Sequence, residues 1–381
     1  MKPKLRFKEF NSDWNTYKFY ELVTIKNGQV DPNDEQYRNL PHIGPGNIEK
    51  ETGRLLEYNL AKDDKLVSSK YLFDKESVIY GKINPHFAKV CYPKFVGLCS
   101  ADAYPINPIK GKLTSEFLLY LLLNPQFTKF ATSVSMRTGM PKINRDELSI
   151  YKFTIPEIAE QNKIGNMLTL LDKKIELQTK KIEDLKLFKS YTKNKLFQSG
   201  DKTIKLGDIL TKWNKKNKAG LINYVESISN KYGFISQSDQ FEDRNVASKD
   251  LKNYYVIEKN VFGYNPSRLN VGSLALKDND KVSVVSPLYE CFTTSQNNKY
   301  LLEWFDSIYF KKGTLSKFEG GVRNTLNFTN LCEIEINLPS IELQNKYANY
   351  LSIFDNKIRI EEKKLNYLKY LKTGLMQNMF V

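Results

Sequence analysis

Residues 155–197 read IPEIAEQNKIGNMLTLLDKKIELQTKKIEDLKLFKSYTKNKLF, and residues 338–380 read LPSIELQNKYANYLSIFDNKIRIEEKKLNYLKYLKTGLMQNMF. Laid over one another at a constant offset of 183, the two stretches share sixteen residues in 43 positions without a gap. Six of these are lysine and follow from composition, whereas Pro156, Ile158, Gln161, Asn162, Asn166, Leu168, Asp172, Ile175, Leu185 and Phe197 do not. A repeat this long indicates duplicated domains rather than a solenoid.

Each copy reads as a helix, with Pro156 or Pro339 near its first turn, where a missing N–H costs nothing. Apolar residues then recur at 4-3 spacing: Ile164, Leu168, Leu171, Ile175, Ile182 and Leu185 in the first copy, and Tyr347, Leu351, Phe354, Ile358, Leu365 and Leu368 in the second. That is a coiled-coil seam. It is broken once, at Gln178 and Glu361. Such a break is either a polar pair that fixes register or a locally solvated gap, and the gap is expected. At 1.5 Å per residue each helix is roughly 60 Å long. The expected arrangement is an antiparallel pair with pseudo-twofold symmetry; the alternative is that each helix packs on its own domain.

The segments before the helices repeat more faintly. Leu148, Ile150, Phe153 and Ile155 alternate like a strand, as do Ile334, Ile336 and Leu338. Ile143-Asn144 falls on Leu326-Asn327, Val78-Ile79-Tyr80-Gly81 resembles Val261-Phe262-Gly263, and Tyr17-Lys18-Phe19 and Ile204 to Ile209 each open a domain. Helices are predicted at Ser115 to Leu123 and Lys299 to Phe305 among short Val, Ile, Tyr and Phe-rich runs. The fold class is therefore α+β: a domain over residues 1–154, a long helix over 155–200, a second domain over 201–337 and a second helix over 338–381.

A hydrophobic fraction of 41% with 23 Tyr and 22 Phe places the 381-residue chain among packed globular proteins. Its 58 basic and 43 acidic residues leave a formal charge of +15. That excess favours a polyanionic partner, although a lysine-rich proteome produces the same balance. A membrane is not expected, because the longest apolar run, Phe117 to Leu123, is too short to span one and no signal-peptide run opens the chain. Cys91, Cys99, Cys291 and Cys332 lack metal-ligand spacing and read as small buried hydrophobes of a cytoplasmic protein.

Catalytic constellations are not found. The sequence has no phosphate-binding Gly-x-x-x-x-Gly-Lys-Ser/Thr loop and no Gly-x-Gly-x-x-Gly after a strand. Asn84-Pro85-His86-Phe87 narrowly misses the Asn/Asp-Pro-Pro-Tyr/Phe pattern of amino-methyltransferases, and Asn265-Pro266-Ser267-Arg268 misses it further. Both read as turns. Only two histidines are present, so no Ser/His/Asp or Cys/His set is supported. Nucleic-acid binding has better support, since each half clusters basic, amide and aromatic residues in loop segments. The first half offers Lys82, Asn84, His86, Lys89, Arg137, Thr138, Lys142, Asn144 and Arg145; the second offers Tyr264, Asn265, Ser267, Arg268, Asn270, Arg323, Asn324 and Asn327. Arg pairs with guanine and Asn with adenine in the major groove, while Lys mostly meets phosphate.

Several of these stretches resemble the specificity subunits of Type I restriction-modification enzymes. They are Lys2-Pro3-Lys4-Leu5-Arg6-Phe7-Lys8 through Trp14, Ile204-Lys205-Leu206-Gly207-Asp208-Ile209, Ser286-Pro287-Leu288-Tyr289, and the Pro-x-x-x-x-Gln helix starts at Pro156 and Pro339. The first domain departs from the Ser-Pro-x-Tyr pattern at Ser100-Ala101-Asp102-Ala103. The resemblance implies two target-recognition domains reading the halves of a bipartite sequence in double-stranded DNA, with the helices as ruler and docking surface. It further implies two methyltransferase subunits and the restriction subunits as partners. S-adenosylmethionine, ATP and Mg would belong to those partners, leaving this chain non-catalytic. The competing classes are a solitary nuclease or methyltransferase with divergent motifs, and a coiled-coil scaffold.

Overall fold

The computed structural model describes residues 2–135, 139–198, 200–230, 232–237, 250–315, 317 and 325–381, without the side chains of Asn270 and Val271. Contacts divide the chain into two units, Met1–Thr179 with Lys363–Val381, and Lys180–Glu362. Among the described residues no helix is long and apolar enough to cross a membrane.

The first half runs β1 (Asn15–Lys18), α1 (Phe19–Leu22), β2 (Val23–Ile25), β3 (His42–Ile43), β4 (Tyr71–Phe73), β5 (Val78–Gly81), β6 (Val90–Cys91), β7 (Gly97–Cys99) and β8 (Ala103–Pro108). Helices α2 (Ser115–Leu123), α3 (Pro125–Val134) and α4 (Arg145–Ile150), strand β9 (Lys152–Ile155) and the long α5 (Ile158–Leu196) follow. The second half repeats the plan with β10 (Lys202–Lys205), β11 (Leu210–Lys212), β12 (Glu226–Ser229), β13 (Gly233–Ser236), β14 (Tyr255–Ile257), β15 (Phe262–Tyr264), β16 (Leu274–Leu276), β17 (Ser283–Val285) and β18 (Glu290–Thr294). It closes with α6 (Asn298–Phe305), α7 (Ile308–Leu315), α8 (Phe328–Cys332), β19 (Glu335–Leu338) and the long α9 (Ile341–Asn378).

The main sheets recur in both halves. A four-stranded sheet β2-β8-β5-β6 in the first half corresponds to β11-β18-β15-β16 in the second. In each domain the first and last strands pair antiparallel, Tyr17 opposite Phe153 and Ile204 opposite Ile336, so the chain closes on itself immediately before its long helix. The pairing of β4 with β7 returns as β14 with β17, so the strand before Ser100 keeps its place despite the altered motif there. In the second domain the β12–β13 hairpin lies on the central strand at Gly263, where an added Cβ would stand 2.9 Å from Ile228 Cδ1 and 3.1 Å from Phe234 Cζ. Glycine admits that approach without displacing either side chain.

Two sequence expectations need correction. Leu148 and Ile150 lie in α4 and not in a strand. Asn144 caps this helix through Glu147 N, at 2.8 Å, and Glu147 returns the bond to Asn144 N at 2.7 Å. A capping box of this kind overrides a four-residue alternation. The expected solvated gap in the seam is absent at Glu361, which is only 5% exposed and accepts from Lys181 Nζ at 3.0 Å.

The two readings of the long helices both hold in part. Ile164 and Leu168 join the core of the first domain, and Ala348 and Leu351 that of the second, so each helix begins on its own domain. Further along, the helices pair antiparallel inside each unit. In the second unit Lys189 meets Asp355 at 2.7 Å while Lys181 meets Glu361. In the first, Lys372 meets Asp172 at 2.6 Å, the same pair displaced by 183 residues.

The shared Gln of the helix starts now has a purpose. Gln161 Nε2 donates to the carbonyls of Pro156 and Lys112, each at 2.9 Å, and its Oε1 accepts from Thr114 N at 3.1 Å. Gln344 does the same with Pro339 O and Asn297 N, at 2.9 and 3.1 Å. Thr114 and Asn297 are the N-caps of α2 and α6, so one buried amide ties two helix starts together in each domain.

Candidate nucleic-acid interface

In the first domain the two loop clusters singled out in the sequence come together. Ile83 bridges Lys142, Ile143 N donates to Lys82 O at 3.0 Å, and Asn84 N donates to Pro141 O at 2.8 Å. The second domain repeats the contact between its two loops, with Leu326 N donating to Pro266 O at 3.1 Å.

The loop of the first domain is a short 3-10 helix, Pro85–Phe87, bracketed by two left-handed residues, Asn84 (φ 51°) and Ala88 (φ 41°). Asparagine tolerates that conformation, but alanine is strained there by about 1 kcal/mol or more. Between them His86 is exposed and packs on Phe87, with ring centroids 4.0 Å apart, and Lys50 Nζ lies 3.6 Å from the Phe87 centroid. Lys50 was not among the residues singled out in the sequence; nothing in its local sequence distinguishes it.

The candidates divide by what their side chains already do. Asn144 and Asn327 are N-caps, accepting from Glu147 N and Asn330 N, each at 2.8 Å; Asn265 caps the turn Pro266–Val271 by accepting from Ser267 N at 3.0 Å. Lys89 Nζ is bonded to Pro45 O. Tyr264 is fully buried among the aromatic rings of the second core, 6.2 Å from Phe292, and burial pushes its hydroxyl far above the ordinary tyrosine value. Arg145 donates to the carbonyls of Ile25 and Lys26, at 3.1 and 2.8 Å. Lys82 is buried, and Asn84 is partly so. His86, Lys142, Ser267 and Arg268 stand exposed on the joined loops. Arg137, Thr138, Arg323 and Asn324, and the side chain of Asn270, lie outside the described residues.

The duplicated plan is that of a known family. The family model of the Type I restriction modification DNA specificity domain matches twice, over residues 11–187 and 198–370. The chain belongs to this family.

Among curated members of the specificity-domain family, the Type I restriction enzyme EcoDI specificity subunit of Escherichia coli is 35% identical over 153 residues, covering 40% of this chain and 33% of that protein. The HindI specificity subunit of Haemophilus influenzae is 27% identical over 192 residues, 47% of this chain and 41% of its own length. The matched stretches thus span less than half of these relatives. Two solved structures share the fold. The S subunit of a Type I restriction-modification system from M. genitalium has a TM-score of 0.60 at 16% identity, with 100% and 99% of the two chains covered. A chain from a structure of type I R-M complex assembly and conformational transition also scores 0.60, at 14% identity and 98% of both chains.

Proposed function

We propose that this protein is the sequence-reading specificity subunit of a Type I restriction-modification complex. Each domain reads one half of a bipartite site in double-stranded DNA, and the chain docks two methyltransferase subunits and the restriction subunits. It is itself non-catalytic, and S-adenosylmethionine, ATP and Mg act in the partner subunits. The observation that carries this reading is the joining, in both domains, of the same two sequence-distant polar loops, through Lys82 O and Ile143 N in the first and through Pro266 O and Leu326 N in the second. Two similar loop platforms on one chain suit two half-sites. The formal charge of +15 supplies the attraction to phosphate that any such reader needs.

The test is methylome sequencing of cells that express this chain with its methyltransferase partner and without it. Methylated adenine in one interrupted motif is expected only when both are present. Methylation by the purified chain with S-adenosylmethionine alone would overturn the assignment.

A further inference from the structure

Resting on the reading above, we propose that Lys82, Lys142 and Arg145 form an oxyanion socket in the first domain, filled by a DNA phosphodiester, and that the equivalents of Lys82 and Arg145 in the second domain do not repeat it. Lys82 is only 8% exposed. Among the described residues its ammonium has neither a hydrogen-bond acceptor nor a carboxylate partner, and lies 5.0 Å from the centroid of the Tyr104 ring. Arg145 Cζ stands over the same ring at 5.4 Å, with its guanidinium fixed by the carbonyls of Ile25 and Lys26. The backbone bridge between Ile83 and Lys142 brings the exposed Lys142 near enough for its charge to act on Lys82. Burying a cation without an anion is costly, so a site that gathers three is completed by a ligand of opposite charge. Burial, then Lys142 and Arg145, hold Lys82 below the ordinary lysine value, and the exposed Asp102 only partly offsets them. A phosphate oxygen suits a point-charge ammonium beside a forked guanidinium.

The second domain places other chemistry at the same address. Phe262 faces Phe292 across the central strand pair as Tyr80 faces Tyr104 in the first domain. Two residues on, Tyr264 stands where Lys82 does, and Phe328, 183 residues after Arg145, sets its ring 6.1 Å from Phe292. Among the described residues a cation approaches there, Lys212, and it is paired with Glu290 at 3.1 Å. One domain therefore holds a charged socket where the other holds an aromatic cluster.

The experiment measures the full chain against Lys82→Met, an uncharged side chain of similar length, with Tyr264→Phe as the control in the other domain. Without phosphate in the buffer, Lys82→Met should melt at a higher temperature than wild type, because it removes an unpaired buried charge; a lower melting point would mean the ammonium is a structural group and overturns the socket. On target DNA, the slope of log affinity against log salt should shrink by about 0.9 in Lys82→Met and stay unchanged in Tyr264→Phe. Inorganic phosphate should raise the melting point of wild type saturably and leave Lys82→Met unmoved. Phosphate stabilisation with an unchanged DNA slope would overturn the phosphodiester assignment in favour of free phosphate. An unchanged slope with no phosphate effect would overturn the socket while leaving DNA reading intact. Failure of wild type to prefer any DNA sequence would instead count against the functional reading, and the phosphate arm alone would then decide whether the socket exists.

Discussion

The Phe380 ring stacks on Phe117 with centroids 5.2 Å apart and planes 24° from parallel. Subtracting 183 from 380 and adding it to 117 gives Phe197 and Tyr300, which also meet at 5.2 Å, edge to face. The end of α9 thus completes the core of the first domain, with Met376 and Met379, and the end of α5 completes that of the second. Each domain is finished by the helix that the other domain begins. Phe380→Ala and Phe197→Ala should each cost about 3–5 kcal/mol. Hydrogen exchange localises the damage: Phe380→Ala should open Ser115–Leu123 and spare Asn298–Phe305, and Phe197→Ala the reverse. Equal loosening of both helices by either variant would refute the assignment of separate cores.

Replacing Gln161 by Ala should destabilise the protein by about 1–3 kcal/mol, because Thr114 N and two carbonyls lose their buried partner. Gln344→Ala should behave alike. Urea denaturation reads both, and a change within 0.5 kcal/mol would show that water replaces the amide.

The second domain contains a fully buried ion pair, with Lys277 Nζ 2.5 Å from Glu226 Oε2, which also accepts from Ser283 Oγ at 2.5 Å. Glu226→Ala should cost about 3–5 kcal/mol by leaving the lysine charge alone, whereas the double change Glu226→Leu with Lys277→Met should recover most of the loss. Additive losses in this cycle would mean that the two groups stabilise the fold independently.

Asp64 accepts from Asn59 Nδ2 at 2.8 Å and contacts His42 Nδ1 at 2.7 Å, and these bonds, Asn59 first, hold its carboxyl below the usual range. A carboxyl depressed in the folded state contributes stability above its unfolded pKa and loses it as pH falls through the folded pKa. Asp64→Asn should therefore be less stable than wild type near neutrality and show a shallower loss on the acid side of about pH 4. Parallel stability curves for the two proteins across that range would exclude the linkage.

Arg268 is exposed on the joined loops of the second domain. Under the proposed function, Arg268→Ala should relax one half-site by about 1–3 kcal/mol if the side chain meets a base. Selection of bound sequences from a random pool is the measurement. A change at both half-sites would contradict modular reading, and uniform weakening of every sequence would assign Arg268 to phosphate.

The duplication, the two long helices, the seam positions and the boundaries of α2 were legible in the sequence, because each rests on local periodicity or on an ungapped self-match. Ile164, Leu168, Leu171 and Ile182 are buried as the 4-3 spacing requires. The pairing of Lys82 with Ile143, the buried Glu226–Lys277 pair and the closure of each core by a distant phenylalanine were not legible. They join residues 51 to 263 positions apart, and nothing local marks such partners. Side-chain roles at the candidate site were decided in the same way. Asn144 and Asn327 carry amides suited to reading adenine, yet the tertiary structure gives them to the first turns of α4 and α8, where unpaired backbone N–H groups need an acceptor. Sequence determined the two long helices, one helix in each domain, and that the plan occurs twice; only folding decided which polar groups are consumed internally and which, like Lys142 and Arg268, are left facing solvent.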